Sequence, residues 1–565
     1  MKIYILTFTT ALLFATGLLA QSQDSLLRRQ MELERDFNPT LMDANKINSL
    51  PTLREPAIQK ANTNYSSWAE RTSPPLEIAL PKPGTIMTDI PFSSQKGYIS
   101  FAGGNYANMD GAFGYRLLDN DIDKLSVNFL HQSTNGNINY IQNSAQKSNK
   151  AYFMDNSGGL KYQHRFRSFN LKTDVSYLHS AFNYYGNSME TTRTFDNENQ
   201  TLGVFRLNLG VKSHPSDAVE YKGYIDFKNF ATKYGESLLS DGVKGNQINV
   251  AVDLSKPFND GNNRIGLDGK LLNTFYNGDR KNYSLINAGP YLGLGGSNWK
   301  ARLGADILFH LAGKTEARVV PNANLQVSVS ERSSLYADLH GGYRSNTLLE
   351  MMNESRYVLP TVSVTPSFSM IDFEAGAKIG ELEGFRFDIF GGFKQTDDEH
   401  FLLLTTDRDP DTQLPGLFDT HEYLTPYYAN ISHSHIGGAI QTNIWSPLNL
   451  SVNLKKNFYT LKDNKDTRAY NKPGFETDIR ADLKATDELK FTLNYYFAND
   501  RWSNFDGSDV QMDNISDFNL GAIYKISDAF SINVKANNLL FQKYDIWYGH
   551  PAQGFNMMGG FSFRF

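Results

Sequence analysis

The chain has no cysteine among its 565 residues. That excludes disulfides, thiolate metal sites and cysteine nucleophiles, and it removes the residue a lipoprotein signal would acylate. Positive charge is not in excess either: 55 Lys and Arg stand against 60 Asp and Glu, a net of -5. Nothing there has the basic signature of a nucleic-acid binder, so no nucleic-acid partner is expected. Long apolar runs are also scarce. The one at the start follows Lys2, extends from Ile3 to Leu19, and gives way after Ala20 to Gln21, Ser22, Gln23 and Asp24. This reads as a secretory signal cleaved after Ala20, since the run is short for a membrane anchor and a polar chain follows. Beyond it no stretch of about 18 apolar residues occurs, so no helix is expected to span a membrane.

Signatures of catalysis and metal binding are equally thin. No Gly-x-Ser-x-Gly elbow is present, and the 11 His are scattered, so no enzyme and no cofactor is expected. Asp407, Asp409 and Asp411 have the two-residue spacing of calcium ligands, but Thr412 and Phe418 occupy the positions where that loop needs Gly and Glu. Asp119, Asp121 and Asp123 share the spacing in a tight turn and are read as a solvated turn. His433 and His435 fall on one face of a strand, aimed at a lumen. Two His supply only half of a zinc site.

Aromatic residues are abundant, with 38 Phe, 30 Tyr and 5 Trp, a composition suited to strands and to membrane-interface belts. From Gly97 onward the hydropathy follows period two. Trp299, Ala301, Leu303, Ala305, Ile307 and Phe309 alternate with Lys300, Arg302, Gly304, Asp306, Leu308 and His310, so a strand would present one apolar face and one mostly polar or small one. Tight connectors are expected at 119–123, 165–168, 213–217, 256–262, 295–297, 331–332, 381–384, 446–447, 486–487 and 527–528. Between them lie pairs of strands whose own connectors are often longer, such as 345–367 and 395–426. Short turns on one side and long loops on the other describe an outer-membrane barrel rather than a soluble sandwich. Ten tight turns join twenty strands; adding 97–106 before and 555–565 after gives an all-β, antiparallel, up-and-down transmembrane barrel of about 22 strands. In the last strand Phe555, Met557, Phe561, Phe563 and Phe565 are expected to face lipid and to close the barrel.

The C-terminal stretch Asn537-Asn538-Leu539-Leu540-Phe541-Gln542-Lys543-Tyr544, then Trp547-Tyr548-Gly549-His550-Pro551-Ala552-Gln553-Gly554 and the closing strand, resembles the end of a TonB-dependent receptor of the Bacteroidetes type. That resemblance implies a 22-strand barrel, a folded plug ahead of it and a TonB-binding motif. Only about 75 residues follow the signal before the first strand, however. They are rich in Pro, show no β-α organisation, and carry no TonB-binding motif between Gln21 and Met42. The expected layout is therefore signal 1–20, a periplasmic arm or reduced lumenal segment 21–95, and a barrel 96–565, lacking a recognisable plug. Within the arm Leu26, Leu27, Met31 and Leu33 form the apolar side of a short helix-like stretch and are candidate partner-binding residues. The reading of function is an outer-membrane barrel acting as a structural or assembly partner in an envelope complex, with lipid and envelope proteins as partners. The alternative is a receptor-like uptake channel or passive pore. A barrel this wide must be closed by the arm, by loops or by another chain.

Overall fold

The computed structural model describes residues 95–565, apart from 142–146, 187–198, 216–218, 236–240, 260–261, 279, 383, 405–422, 463–467 and 506. The signal, the arm with Leu26, Leu27, Met31 and Leu33, and Asp407 to Asp411 lie outside the described residues.

Twenty-two antiparallel strands form one sheet that closes on itself. Closure is made by the first strand, Gly97–Gly104, which pairs with Met109–Asp119 on one side and with the last strand, Asn556–Arg564, on the other. Closure leaves no edge, the only state a sheet tolerates in hydrocarbon, where unpaired backbone groups are costly. At the seam Gly97 and Phe565 exchange backbone hydrogen bonds of 2.8 and 3.0 Å. Gly97 is required there: a Cβ would meet the rings of Tyr115 and Phe565 at 2.7 and 2.8 Å, and those rings stack with centroids 5.9 Å apart.

All ten tight connectors fall where the alternation places them, and side chains in several of them explain why. Asn120 Oδ1 accepts from the backbone N–H of Ile122 and Asp123, Thr486 Oγ1 from Glu488 and Leu489, and Ser527 Oγ from Ala529 and Phe530. Such local bonds turn the chain within a few residues. At the opposite end the connectors range from Gly313 alone, at φ +78°, to residues 345–366. One long connector is shorter than its sequence indicates. Strands Phe385–Leu404 and Leu424–Thr442 extend through much of the span 395–426, because their paired register continues from Glu399–Ala429 to Leu404–Leu424 beyond an irregularity.

The alternation sorts the two faces as expected. Ile99, Phe101, Leu303, Ile307, Phe561 and Phe563 are exposed outward, while Asp306, Asn322 and Ser562 point inward and are buried. The exterior is the lipid-facing surface, and the polar face lines the lumen.

Candidate functional site: a loop that bridges the mouth

The long connector 345–366 folds over the extracellular end, and its own sequence directs it there. Thr347 caps a short helix, α1, spanning Leu348–Glu354. Its Oγ1 accepts from the Glu350 N–H at 3.2 Å, while the Glu350 carboxylate accepts from the Thr347 N–H at 2.9 Å. This reciprocal cap starts a helix whose Leu348, Leu349, Met351 and Met352 are all buried. Asn346 ties the two ends of the loop together, donating from Nδ2 to the Thr365 carbonyl and to Ser367 Oγ.

The loop is anchored on opposite sides of the barrel. Toward the fourth strand, Ser148–Arg165, Arg356 donates two hydrogen bonds to Asp155, at 2.8 and 3.1 Å, and its guanidinium lies 4.5 Å from the Phe153 ring centroid. Burial opposes the Arg356 charge, yet the Asp155 carboxylate beside it holds its pKa above the ordinary arginine value. Further anchors on that half are Tyr276, whose hydroxyl accepts from the Leu348 N–H, Gln247, which accepts from Thr347 Oγ1, and Tyr283, which donates to the Ser345 carbonyl. Toward the sixteenth strand, Leu424–Thr442, Val358 forms a parallel bridge with Leu424. The Leu359 N–H donates to the Leu424 carbonyl at 3.0 Å, and the Leu424 N–H to the Tyr357 carbonyl at 2.8 Å. Glu354 meets His400 at 2.6 Å.

Between these anchors lies one apolar cluster. It joins Phe182, Leu202 and Phe230 of one side to Leu402, Leu404 and Leu424 of the other, through the loop residues Leu348, Leu349, Met351, Met352 and Val358. Met512, Trp547 and Tyr548 join it from two further outer segments. Arg501, fully buried and lowered by that burial to about 10, fastens those segments by donating to the carbonyls of Asp545 and Ile546. Tyr357 packs edge-on against Tyr185 and stacks on His550 at 4.8 Å, while Tyr185 donates to the Pro551 carbonyl. Burial raises the pKa of both phenols, Tyr185 and Tyr357.

The structure locates the other residues singled out from the sequence as follows. Met557, Phe561, Phe563 and Phe565 are outward and exposed, and Phe563 stacks on Phe565. Phe555 precedes the last strand and stacks on Phe541 at 5.0 Å. His433 and His435 face the lumen with rings 5.3 Å apart, one bonded to Asn457 and the other to Glu374. Among the described residues no cluster of three or more His, Asp or Glu is placed to hold a metal. Asp119 pairs with Arg116, and Asp123 with His164 and Tyr162. The loop site was missed in the sequence, although Thr347-x-x-Glu350 beside four apolar residues is a legible helix start.

No family model matches the sequence, and no curated relative does. Solved structures do match the fold. The siderophore receptor PirA of Acinetobacter baumannii superimposes with a TM-score of 0.65 at 11% identity, covering 85% of this chain and 81% of that one. A ferric enterobactin receptor, PfeA of Pseudomonas aeruginosa, gives 0.61 at 12% identity over 84% and 81%. The ferric-catecholate import receptor Fiu of E. coli K12 gives 0.61 at 9% over 84% and 82%. The chain has the fold of these receptors, an outer-membrane-type β-barrel of 22 strands.

Proposed function

We propose that this chain is a receptor-like uptake barrel in which residues 345–366 act as a lid, and that solute enters when the lid leaves the mouth. The observation that carries this reading is the lid's anchorage on both the fourth and the sixteenth strands, which places one loop across the opening. A segment of 22 strands without such a cover would leave a wide hole in the permeability barrier. The likeness in fold agrees with uptake, and the siderophore receptors among the structural neighbours point to a chelate-sized solute.

The structural or assembly role expected from the sequence is the second reading. It is favoured by the packing of the mouth, where the site is filled by the chain's own buried side chains as in a domain core. In that reading the arm, through Leu26, Leu27, Met31 and Leu33, docks a periplasmic partner.

A lid deletion separates the two. Arg344 and Ser367 are cross-strand partners, so an Asn-Gly turn can join them directly in place of 345–366. Planar-bilayer recordings of the intact chain should be nearly silent, and those of the deletion should show large steady conductance. Silence in both, with normal heat-modifiable migration confirming the barrel, would overturn the uptake reading.

A further inference from the structure

We propose that the lumenal wall of the third to sixth strands, near its periplasmic end, is an anion-binding track selecting phosphate- or carboxylate-bearing solutes. The inference rests on the uptake reading for its role, but its binding chemistry stands separately.

The residues follow from the register. In the third strand, Asp123–Asn139, Leu125, Val127 and Phe129 face outward, so Lys124 faces the lumen; in the fourth, Leu160 and Tyr162 face outward and Arg165 inward. In the fifth, Phe169–Phe182, and the sixth, Gln200–Ser213, Leu171 with Thr173 and Leu209 with Val211 are outward, which turns Lys172 and Lys212 inward. Lys124 and Lys172 lie in one row on either side of Gln163, two strands apart, about 10 Å. Arg165, Asn170 and Lys212 form the next row toward the periplasm. Arg167 follows in the turn. At such spacing the fields of these cations overlap within a Debye length.

Lys124, Arg165, Arg167, Lys172 and Lys212 are all exposed, and none has an ion pair among the described residues. The bordering carboxylates are Asp119, engaged by Arg116, Asp121 in the first turn, and Asp174 opposite Lys161 in the row above. Elsewhere on the wall many cations are matched, Arg302 with Asp268, Arg386 with Asp388, Arg480 with Asp478 and Lys490 with Asp482, while Lys300 stands exposed by itself on its strand. What sets this strip apart is that Lys124, Lys172, Arg165 and Lys212 occupy two adjoining rows along the direction of transit. Its rim opens into a recess of about 350 Å³ lined by Asp121, Ile122, Arg165, Phe166, Arg167 and His214. There His214 is held by the Arg167 carbonyl and Asn170, leaving both guanidinium groups exposed. Lumenal rows of Lys and Arg attract anions and exclude cations, the arrangement that selects in anion pores.

Two measurements test this. In the lid-deleted full chain under a potassium chloride gradient, the reversal potential should show a severalfold preference for chloride. Combined Lys124→Gln, Arg165→Gln, Lys172→Gln and Lys212→Gln should abolish that preference, whereas the matched control Lys490→Gln with Asp482→Asn should keep it. Independently, calorimetry on the intact chain should detect binding of inorganic pyrophosphate, or of citrate as the carboxylate probe, weakened about tenfold or more by the four substitutions and by added salt. Silent recordings with pyrophosphate or citrate binding intact would sink the uptake reading alone. Cation preference, or binding of neither probe, or binding unchanged by the four substitutions, would overturn the anion track.

Discussion

The two ends of this barrel are built on opposite principles. At the extracellular mouth, loop residues are buried, apolar and anchored to strands on both sides. At the periplasmic end of the third to sixth strands, Lys124, Arg165, Lys172 and Lys212 stand exposed without ion pairs among the described residues. The first arrangement costs ordering of a long loop and is maintained by packing; the second costs charge repulsion and is maintained by solvent. A passage whose outer end is packed shut and whose inner wall is charged can select by charge only what the outer end admits.

The largest expected effect removes the frame on which both ends depend. Deleting residues 555–565 takes away the strand that pairs with Gly97–Gly104, and should abolish assembly and heat-modifiable migration on gels. Normal membrane levels of that truncation would show that the seam is elsewhere.

Next come changes confined to the mouth. Leu349→Ala with Met352→Ala leaves cavities in the cluster, costing about 2–5 kcal/mol for each truncation, and should raise conductance while barrel migration stays normal. Unchanged conductance would mean that the packing does not close the opening. Arg356→Gln should act in the same direction but more weakly, since a hydrogen bond to a charged group contributes about 1.5–3 kcal/mol. Asp155→Asn should match it, and the double variant should be little worse than either, because both remove one interaction.

The smallest effect is alkaline opening. Burial raises the Tyr185 and Tyr357 pKa values above the ordinary 10.0. Above that ordinary value the open state loses phenolic protons that the closed state keeps, so closure weakens as pH rises. Closure is fully supported below pH 10 and is lost progressively above it. Conductance of the intact chain should therefore climb above pH 10, and Tyr357→Phe should flatten the rise. A rise that begins on acidification instead would contradict this assignment.

The two ends also differ in how far the sequence reveals them. The strands and their ten short turns were legible because period-two hydropathy and caps such as Asn120, Thr486 and Ser527 act within a few residues. Strand extension past 395 was hidden, since an irregularity at Thr396–Glu399 interrupts the pattern before pairing resumes. The lid was written locally in Thr347, Glu350 and the four apolar residues of α1, but its destination depends on Asp155 and Leu424, each far away in the chain. The basic track needs the register as well: Lys124, Arg165, Lys172 and Lys212 are scattered in sequence and meet only once the strands are aligned.

The central claim is that residues 345–366 seal the mouth, and the absence of native cysteine allows a direct measurement. Val358 is fully buried beneath the lid's contacts, so Val358→Cys supplies a single thiol at the seal. Whole cells treated with a membrane-impermeant maleimide should leave that thiol unlabelled in the otherwise intact chain and label it rapidly when Arg356→Gln is added. Rapid labelling without Arg356→Gln would show that the mouth is open and contradict the account.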